Sequence, residues 1–191
     1  IGYDHRFGHN RAEGFADYVA YGREMGMEVV QNPVFELEGV NVSSTVCRRH
    51  VAAGEMEAAS RCLGYPYRMG GRVVAGFQKG RKLGFPTANI QLADPRRLVP
   101  ASGVYAVRVK IGDEATWRLG MMNIGTRPTF GGEKVSLEVH IFDFAGDLYG
   151  CQVEVAFLRR VREERKFASP EELAAQLARD KQTILDACCL S

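Results

Sequence analysis

From residue 72 onward, hydrophobic and polar residues alternate in several short segments that glycine-containing stretches separate. Successive side chains of a β-strand point to opposite faces, so an alternating segment has one apolar face. Such faces are formed by Tyr105, Val107 and Val109, and by Leu137, Val139 and Ile141. The pattern predicts strands at 73–74, 103–110, 117–124, 135–141 and 152–157. Several strands with no helix between them favour an antiparallel barrel or sandwich.

The regions on either side of these strands have a helical pattern. Residues 1–65 are typical of an α/β arrangement, with helices predicted at 15–25, 46–53 and 55–63 and a strand at 27–30. Near the end of the chain, Ser169 is a candidate N-cap, Pro170 suits the first helical position, and Glu172 is an acidic capping-box residue. Apolar residues then follow near one stripe, at Leu173, Leu177, Ile184 and Cys188. We therefore expect a helix after the last strand.

Composition narrows the class of protein. Of the 191 residues, 46% are hydrophobic and 25% are charged, as in ordinary folded soluble proteins. The net charge of +2 is too small to indicate nucleic acid or a membrane surface as a partner, and we see no membrane-spanning run or signal peptide. Five cysteines without a Cys-x-x-Cys pair indicate neither a disulfide framework nor a zinc site, which favours a reducing cytoplasm. Because the chain begins at Ile1, we expect it to be a fragment.

A glycine-rich basic stretch lies between the first two predicted elements of the strand region. Gly76, Gly80 and Gly84 recur at every fourth position, and cations stand between them at Lys79, Arg81 and Lys82. Glycine lets backbone N–H groups approach an anion closely, and nearby cations add positive charge. The stretch lacks the Gly-Lys-Ser/Thr ending of a Walker A loop. It is a candidate phosphate-binding loop, and the alternative is a plain glycine-rich hairpin.

The chain leaves this stretch through a proline into two polar residues. Pro86 favours an extended backbone, and Thr87 and Asn89, two positions apart, then point to the same side. A hydroxyl and an amide oxygen on one side suit Mg²⁺, which needs few protein ligands when phosphates supply the rest. Thr87 and Asn89 are therefore candidate metal ligands.

Glu138 is the best candidate for a general base. It lies on the strand face opposite Leu137 and Val139, together with Ser136 and His140. A carboxylate can take the proton of an alcohol that attacks a phosphate. The alternative is a solvated strand carboxylate, which spacing alone favours. For His140 a structural role is favoured over catalysis.

Other polar segments of the strand region have simple structural interpretations. Residues 123–130 are typical of a strand that ends in a Gly/Pro turn. Residues 143–150 are predicted to form a hairpin loop. The charged segment 162–167, taken alone, is typical of a solvated charge run.

The string GRKLGFPTANI at 80–90 closely resembles the signature of riboflavin kinases, and LEVHI at 137–141 and NIGTRPTF at 123–130 also match that family. The resemblance implies a six-stranded antiparallel Greek-key β-barrel with a C-terminal helix packed outside it. It also implies that Glu138 is the catalytic base and that Thr87 and Asn89 bind Mg²⁺ and ATP phosphates. The remaining implied ATP-binding residues are Gly76, Gly80, Arg81 and Tyr149, and the resemblance also places 123–130 on the nucleotide side. The implied flavin-binding residues are Arg162, Arg165 and Phe167, whose guanidinium planes and aromatic ring suit a flat heteroaromatic ligand.

Residues 1–65 resemble the C-terminal part of the adenylyltransferase domain that precedes riboflavin kinase in bacterial FAD synthetases. The resemblance rests on GYDHRFG at 2–8 and VSST at 42–45, and it implies that Ser43, Ser44, Thr45 and Arg48 are remnants of a phosphate-binding motif. Val46 replaces an arginine of that motif, and the paired histidines of the family's N-terminal nucleotide motif are absent. The alternative for Ser43, Ser44 and Thr45 is a simple helix N-cap. We expect a partial FMN adenylyltransferase domain at 1–65 and a riboflavin kinase domain at 66–191.

Two hypotheses of function follow. In the first, the chain is an enzyme that transfers a phosphate from ATP to the riboflavin 5′-hydroxyl with Mg²⁺ as cofactor, and only a full-length parent adenylates FMN to FAD. In the second, it is a flavin- or nucleotide-binding barrel without turnover. The presence of Glu138, Thr87 and Asn89, which a binder does not need, favours the enzyme.

Overall fold

The computed structural model describes residues 6, 8, 10, 12–37, 39–76, 84–129 and 132–188, without the side chains of 40, 127–129 and 132–134. The chain divides into two compact units, Ile1–Ser44 and Thr45–Ser191. The adenylyltransferase remnant expected at 1–65, and with it the boundary after residue 65, stays a prediction. Most of the segment 2–8 that carries this resemblance lies outside the described residues.

The described residues of the first unit form one helix and a short hairpin. Helix α1 runs from Phe15 to Glu24, as predicted, and strands β1 (Glu36–Leu37) and β2 (Val40–Asn41) pair antiparallel. The strand predicted at 27–30 is wrong, because these residues have no strand structure. Met27 N–H instead donates to the Gly22 carbonyl at 2.8 Å, and Val29 packs closely against Gly22. The segment thus folds back on α1 rather than pairing with a strand.

Two helices precede the strands of the second unit. Helices α2 (Ser44–Ala53) and α3 (Met56–Leu63) confirm the two predicted helices within two residues at each end. Gly54 separates them with a φ of +79°, a conformation that favours glycine. Val51, Met56 and Ala59 are buried and belong to the same apolar core as the strands that follow.

Six long strands close into a barrel, which confirms the predicted fold. They are β3 (Arg68–Val74), β4 (Ala88–Leu92), β5 (Gly103–Ile111), β6 (Trp117–Thr129), β7 (Gly132–Ile141) and β8 (Gln152–Arg162). Their order around the barrel is β3-β4-β7-β6-β5-β8, and every neighbouring pair is antiparallel. The order β4-β7-β6-β5 is a Greek key, because three consecutive strands form a meander and the preceding strand returns beside the last of them.

The loop between β7 and β8 differs from its prediction. These strands are not neighbours in the barrel, so residues 143–150 do not form a hairpin loop. The connection reaches β3 instead, where Gly150 N–H donates to the Val73 carbonyl at 3.0 Å. The predicted hairpin was wrong because pairing depends on the closure of the whole barrel, which no local turn signal encodes.

The two faces of the barrel wall pack in separate clusters. The predicted apolar faces of β5 and β7 are buried in the barrel interior, where Tyr105, Val107 and Val139 have 1% exposure or less. Outside the wall, Val104, Ala106 and Met121 pack with Ile184 of helix α4 (Pro170–Cys188). One stretch of the outer wall is therefore covered by this helix.

The start of α4 has the predicted N-cap at Ser169, but the Glu172 carboxylate accepts from the residue before the N-cap rather than from the N-cap itself. Glu172 N–H donates to Ser169 Oγ at 3.2 Å, and the Glu172 carboxylate accepts from the N–H of Ala168 at 2.9 Å. Leu177, Ile184 and Cys188 from the predicted stripe all pack against the outer wall. The capped helix thus has a fixed start and a fixed buried face.

Candidate active site

A row of side chains crosses the outer wall of the barrel. In the strand register Asn89 lies opposite Glu138, Glu138 opposite Asn123, Asn123 opposite Val104, and Val104 opposite Arg162. Side chains directly opposite each other on antiparallel strands have Cβ atoms about 4.5–5.5 Å apart. Glu138 is therefore flanked by two asparagine side chains, on β4 and β6.

Thr87 completes the group around Glu138. Thr87 Oγ1 donates to Glu138 Oε2 at 3.4 Å, and both side chains are partly buried. Thr87 and Asn89 thus point to the same side, as the spacing predicted. The structure brings together the three residues that the sequence selected for catalysis and metal binding.

Gly76 lies against this group. A Cβ built on Gly76 would overlap the Asn89 amide, so only glycine allows this close approach without a shift. Gly80 and Arg81, the other predicted phosphate-binding residues of the glycine-rich stretch, lie outside the described residues.

A cleft of about 600 Å³ opens beside Thr87 at one end of the barrel. Pro86, Thr87 and Ala88 line one side, and Phe144 to Tyr149 line the other. Its volume is in the range of pockets for small-molecule ligands, about 300–1,000 Å³. Tyr149 is half exposed at the cleft, and its backbone N–H is held by Asp147 Oδ1 at 2.9 Å. Because Thr87 lines the cleft and also contacts Glu138, the Glu138 carboxylate lies next to the cleft.

His140 supports the backbone beside the cleft. It is only 7% exposed, and its ring packs between Phe85 and Phe142 at 5.3 and 5.7 Å between centroids. His140 Nδ1 lies 2.8 Å from the Pro86 carbonyl, which can only accept, so Nδ1 carries the proton. Burial lowers the pKa of His140, the Pro86 contact and Asp143 oppose that shift, and Lys181 adds to it. His140 is thus a neutral side chain that supports the backbone next to Thr87 through the Pro86 carbonyl.

The lowered pKa of His140 predicts that the stability of the folded chain depends on pH. The unfolded chain takes up a proton at His140 below about pH 6.5, whereas the folded chain does so only at lower pH. The free energy of unfolding should therefore fall as the pH drops below about 6.5. In His140→Asn, which keeps a donor near Nδ1 but cannot titrate, the fall between pH 7.5 and 5.5 should be smaller. Urea titrations of both proteins measure this, and an equal fall in both would contradict it.

The charged segment after β8 forms a cluster around an aromatic ring. The guanidinium carbons of Arg162 and Arg165 lie 5.6 and 4.6 Å from the centroid of the Phe167 ring. Arg162 also forms an ion pair with Asp180 of α4 at 2.9 Å. The structure thus brings together the three predicted flavin-site residues, and Arg162 stands in the same row of the outer wall as Glu138.

Sequence reasoning missed two polar residues of α4 in this cluster. Arg165 Nη2 donates to Gln176 Oε1 at 2.8 Å, and Gln176 Nε2 donates to Asp180 Oδ1 at 2.7 Å. A signal was present for Asp180, which stands three residues after Leu177 and four before Ile184, within the apolar stripe. A charged residue on a buried helix face requires a partner.

The predicted remnant motif lies at the start of α2. Ser43, Ser44, Thr45 and Arg48 are all exposed, and the helix begins at Ser44. This placement fits both the N-cap interpretation and the phosphate-binding one, and both stay predictions.

The described residues contain neither a membrane-spanning helix nor a cluster of metal-ligating side chains. No helix in the described part of the chain is long and apolar enough to cross a membrane. Within the same residues, no three His, Cys, Asp or Glu side chains come together as a metal-binding group.

Comparisons with known proteins place the chain in a family. The family model described as "Flavokinase: Riboflavin kinase" matches residues 63–188. The bifunctional riboflavin kinase/FMN adenylyltransferase of Escherichia coli (strain K12) is 42% identical over 184 residues, which are 96% of this chain and 58% of that protein. The protein of the same name from Pseudomonas fluorescens is 45% identical over 181 residues, 94% of this chain and 57% of that protein.

A solved structure is also similar over most of the chain. The crystal structure described as a macrolide-efflux protein from Streptococcus pneumoniae superposes with a TM-score of 0.85 at 37% identity, covering 96% of this chain and 58% of that one. The chain thus spans less than two thirds of the length of these relatives.

The closed barrel, the carboxylate flanked by a hydroxyl and two amides, and the adjoining cleft define a barrel protein with a candidate ligand site. The family match covers about two thirds of the chain and includes every residue of that site. The chain belongs to the riboflavin kinase family.

Proposed function

We propose that this chain is an ATP:riboflavin 5′-phosphotransferase, which converts riboflavin and ATP into FMN and ADP. The main support for the proposal is the hydrogen bond between Thr87 and Glu138. Thr87 lines the cleft, and Glu138 belongs to the row of side chains that ends at Arg162, so this contact connects the two parts of the site. Family membership and the names of the relatives also support the proposal. A non-catalytic binder would not require a carboxylate at that junction.

Each side of Glu138 has a part in the proposed reaction. ATP occupies the cleft beside Tyr149, and the glycine-rich stretch with Gly76, Gly80 and Arg81 covers its phosphates. The riboflavin 5′-hydroxyl approaches Glu138 from the other side. The Glu138 carboxylate accepts the hydroxyl proton as the oxygen attacks the γ-phosphate, and ADP leaves.

The donor set around Glu138 fits a hard cation. Thr87 Oγ1 and the Asn89 amide oxygen would hold Mg²⁺, which when bound neutralises the charge that develops on the phosphates. Because no group of three acidic or histidine ligands lies in the described residues, the phosphates themselves would supply most of the coordination.

The aromatic cluster suits the flavin ring. The Phe167 ring and the guanidinium planes of Arg162 and Arg165 offer flat surfaces and donors to a heteroaromatic ligand. Three strand spacings separate Glu138 from Arg162 in the row, about 14 Å. The extended ribityl chain spans roughly half of that distance, and the long Arg162 side chain and the flavin ring itself would span the rest.

The proposal extends to the longer protein. We infer that residues 1–65 derive from an FMN adenylyltransferase domain, with Ser43, Ser44, Thr45 and Arg48 as its phosphate-binding remnant. A full-length parent would then also convert FMN into FAD. The described cysteines are free thiols, which fits a cytoplasmic location.

Product analysis tests the proposal. We expect the 191-residue chain, incubated with riboflavin, ATP and Mg²⁺, to form FMN and no FAD, because these residues lack the N-terminal nucleotide motif of the adenylyltransferase. Chromatography separates riboflavin, FMN and FAD. FAD formed from FMN and ATP would contradict the remnant assignment, and absence of FMN would contradict the kinase.

A further inference from the structure

Helix α4 carries a carboxylate where its apolar face meets the barrel. Asp180 is 2% exposed and stands between Leu177 and Ile184, which both pack on the outer wall. Among the described residues only His140 is also a buried polar or charged side chain. A carboxylate buried this deeply is strongly unfavourable unless partners satisfy it.

The partners of Asp180 lead to the aromatic cluster. Its Oδ2 accepts from Arg162 Nε and Nη2, each at 2.9 Å, and its Oδ1 accepts from Gln176 Nε2 at 2.7 Å. The oxygen of the same Gln176 amide accepts from Arg165 Nη2 at 2.8 Å. Both arginines beside the Phe167 ring are therefore tied to one pair of residues on α4.

This arrangement limits the motion of both guanidinium groups. An arginine loses substantial side-chain entropy when a ligand fixes it, and an existing charge-assisted pair removes part of that cost from binding. For stability alone, a well-packed apolar pair at this contact would serve as well as a buried ion pair. The network is therefore better explained by the orientation of Arg162 and Arg165 than by the stability of the α4 contact.

We propose that Gln176 and Asp180 are positioning residues for the flavin side of the site, which they form before riboflavin binds. This inference rests on the proposed function, because it assumes that riboflavin binds at Phe167. Neither residue touches the reacting atoms, so they act through Arg162 and Arg165. Their replacement should weaken riboflavin binding and leave the ATP side unchanged.

Asp180→Asn tests the proposal with little change in volume. The riboflavin dissociation constant, measured by flavin fluorescence quenching with Mg²⁺ and ADP present, should rise about tenfold or more. The KM for riboflavin should rise with it, while the KM for ATP stays within about threefold of the parent value. The matched control is Asp186→Asn, because exposed Asp186 accepts from Gln182 in the same helix with the same 2.7 Å geometry. That control should change neither constant.

A double variant separates positioning from a general loss of structure. If Asp180 acts in part through Arg162, Asp180→Asn should weaken riboflavin binding less in the Arg162→Met background than in the parent chain. Equal losses of ATP and riboflavin binding in Asp180→Asn, or no loss of either, would overturn the proposal. So would additive losses in the double variant.

Gln176→Leu tests the same positioning role if Asp180→Asn does not fold. Gln176→Leu preserves the helix and removes the amide that links Asp180 to Arg165, and it should weaken riboflavin binding several-fold without affecting the KM for ATP. Unchanged riboflavin binding in this variant would overturn the proposal. Because riboflavin binding is measured without turnover, a parent chain that binds riboflavin but forms no FMN contradicts only the kinase.

Discussion

Glu138→Gln should lower the turnover number about a hundred- to ten-thousandfold, which corresponds to roughly 3–5 kcal/mol in the barrier. Glutamine has nearly the volume of glutamate and can still accept the Thr87 hydroxyl bond, but it cannot take a proton at neutral pH. Dissociation constants for riboflavin and ATP should change only a few-fold. A loss in turnover without a loss in binding is the mark of an interaction made mainly in the transition state.

Steady-state kinetics and fluorescence quenching of bound riboflavin measure these two effects separately. Glu154→Gln is a matched control, since Glu154 is also a strand carboxylate but pairs with Arg68 away from the row. Normal turnover in Glu138→Gln would make Glu138 a structural carboxylate. If binding and turnover fall together, Glu138 holds the ribityl chain, and the base must be sought at another group, with His140 the first to test.

Thr87→Val and Asn89→Leu should each lower turnover at least about tenfold, a loss of roughly 1.4 kcal/mol in transition-state stabilisation. Valine has the shape of threonine without its hydroxyl, and leucine lacks the amide oxygen of asparagine. Both changes remove an oxygen from the group beside Glu138 without adding a charge. The defect should be greatest at limiting Mg²⁺, because each change removes a proposed metal ligand.

Turnover measured across a Mg²⁺ titration tests this assignment. Thr183→Val is the control for the loss of a hydroxyl, since Thr183 Oγ1 only donates to the Arg179 carbonyl within α4. Near-normal turnover of Thr87→Val at limiting Mg²⁺ would contradict the metal-ligand role. A defect that is the same at all Mg²⁺ concentrations would assign Thr87 to orienting Glu138 instead.

The parts of the fold that the sequence predicted depend on local chemistry. Alternation along β7 identified Leu137, Val139 and Ile141 as the interior face, and the cap at Ser169 identified the start of α4. The order of strands could not be predicted in this way, because it depends on pairings between residues far apart in sequence. For the same reason β4 was identified only as an extended segment, and the loop at 143–150 was assigned to a hairpin that does not exist.

In the candidate site as well, features that depend on neighbouring residues could be predicted, whereas contacts between strands could not. Spacing placed Thr87 and Asn89 on one side and Glu138 on the polar face of β7. Only the register shows that Asn89 lies opposite Glu138 and that Glu138 lies opposite Asn123. Asp180 was missed because its charge interrupts an apolar stripe, and its partner Arg162 lies eighteen residues earlier on another element.

Transfer of label from ATP to riboflavin is the most direct evidence for the proposed kinase reaction. The chain is incubated with riboflavin, Mg²⁺ and ATP labelled in the γ-phosphate, and the flavins are separated from the nucleotides and from inorganic phosphate. We expect label in FMN, one ADP for each FMN, and almost no transfer by Glu138→Gln under the same conditions. Folded protein that binds riboflavin but leaves the label in ATP, or releases it only as inorganic phosphate, would contradict the account.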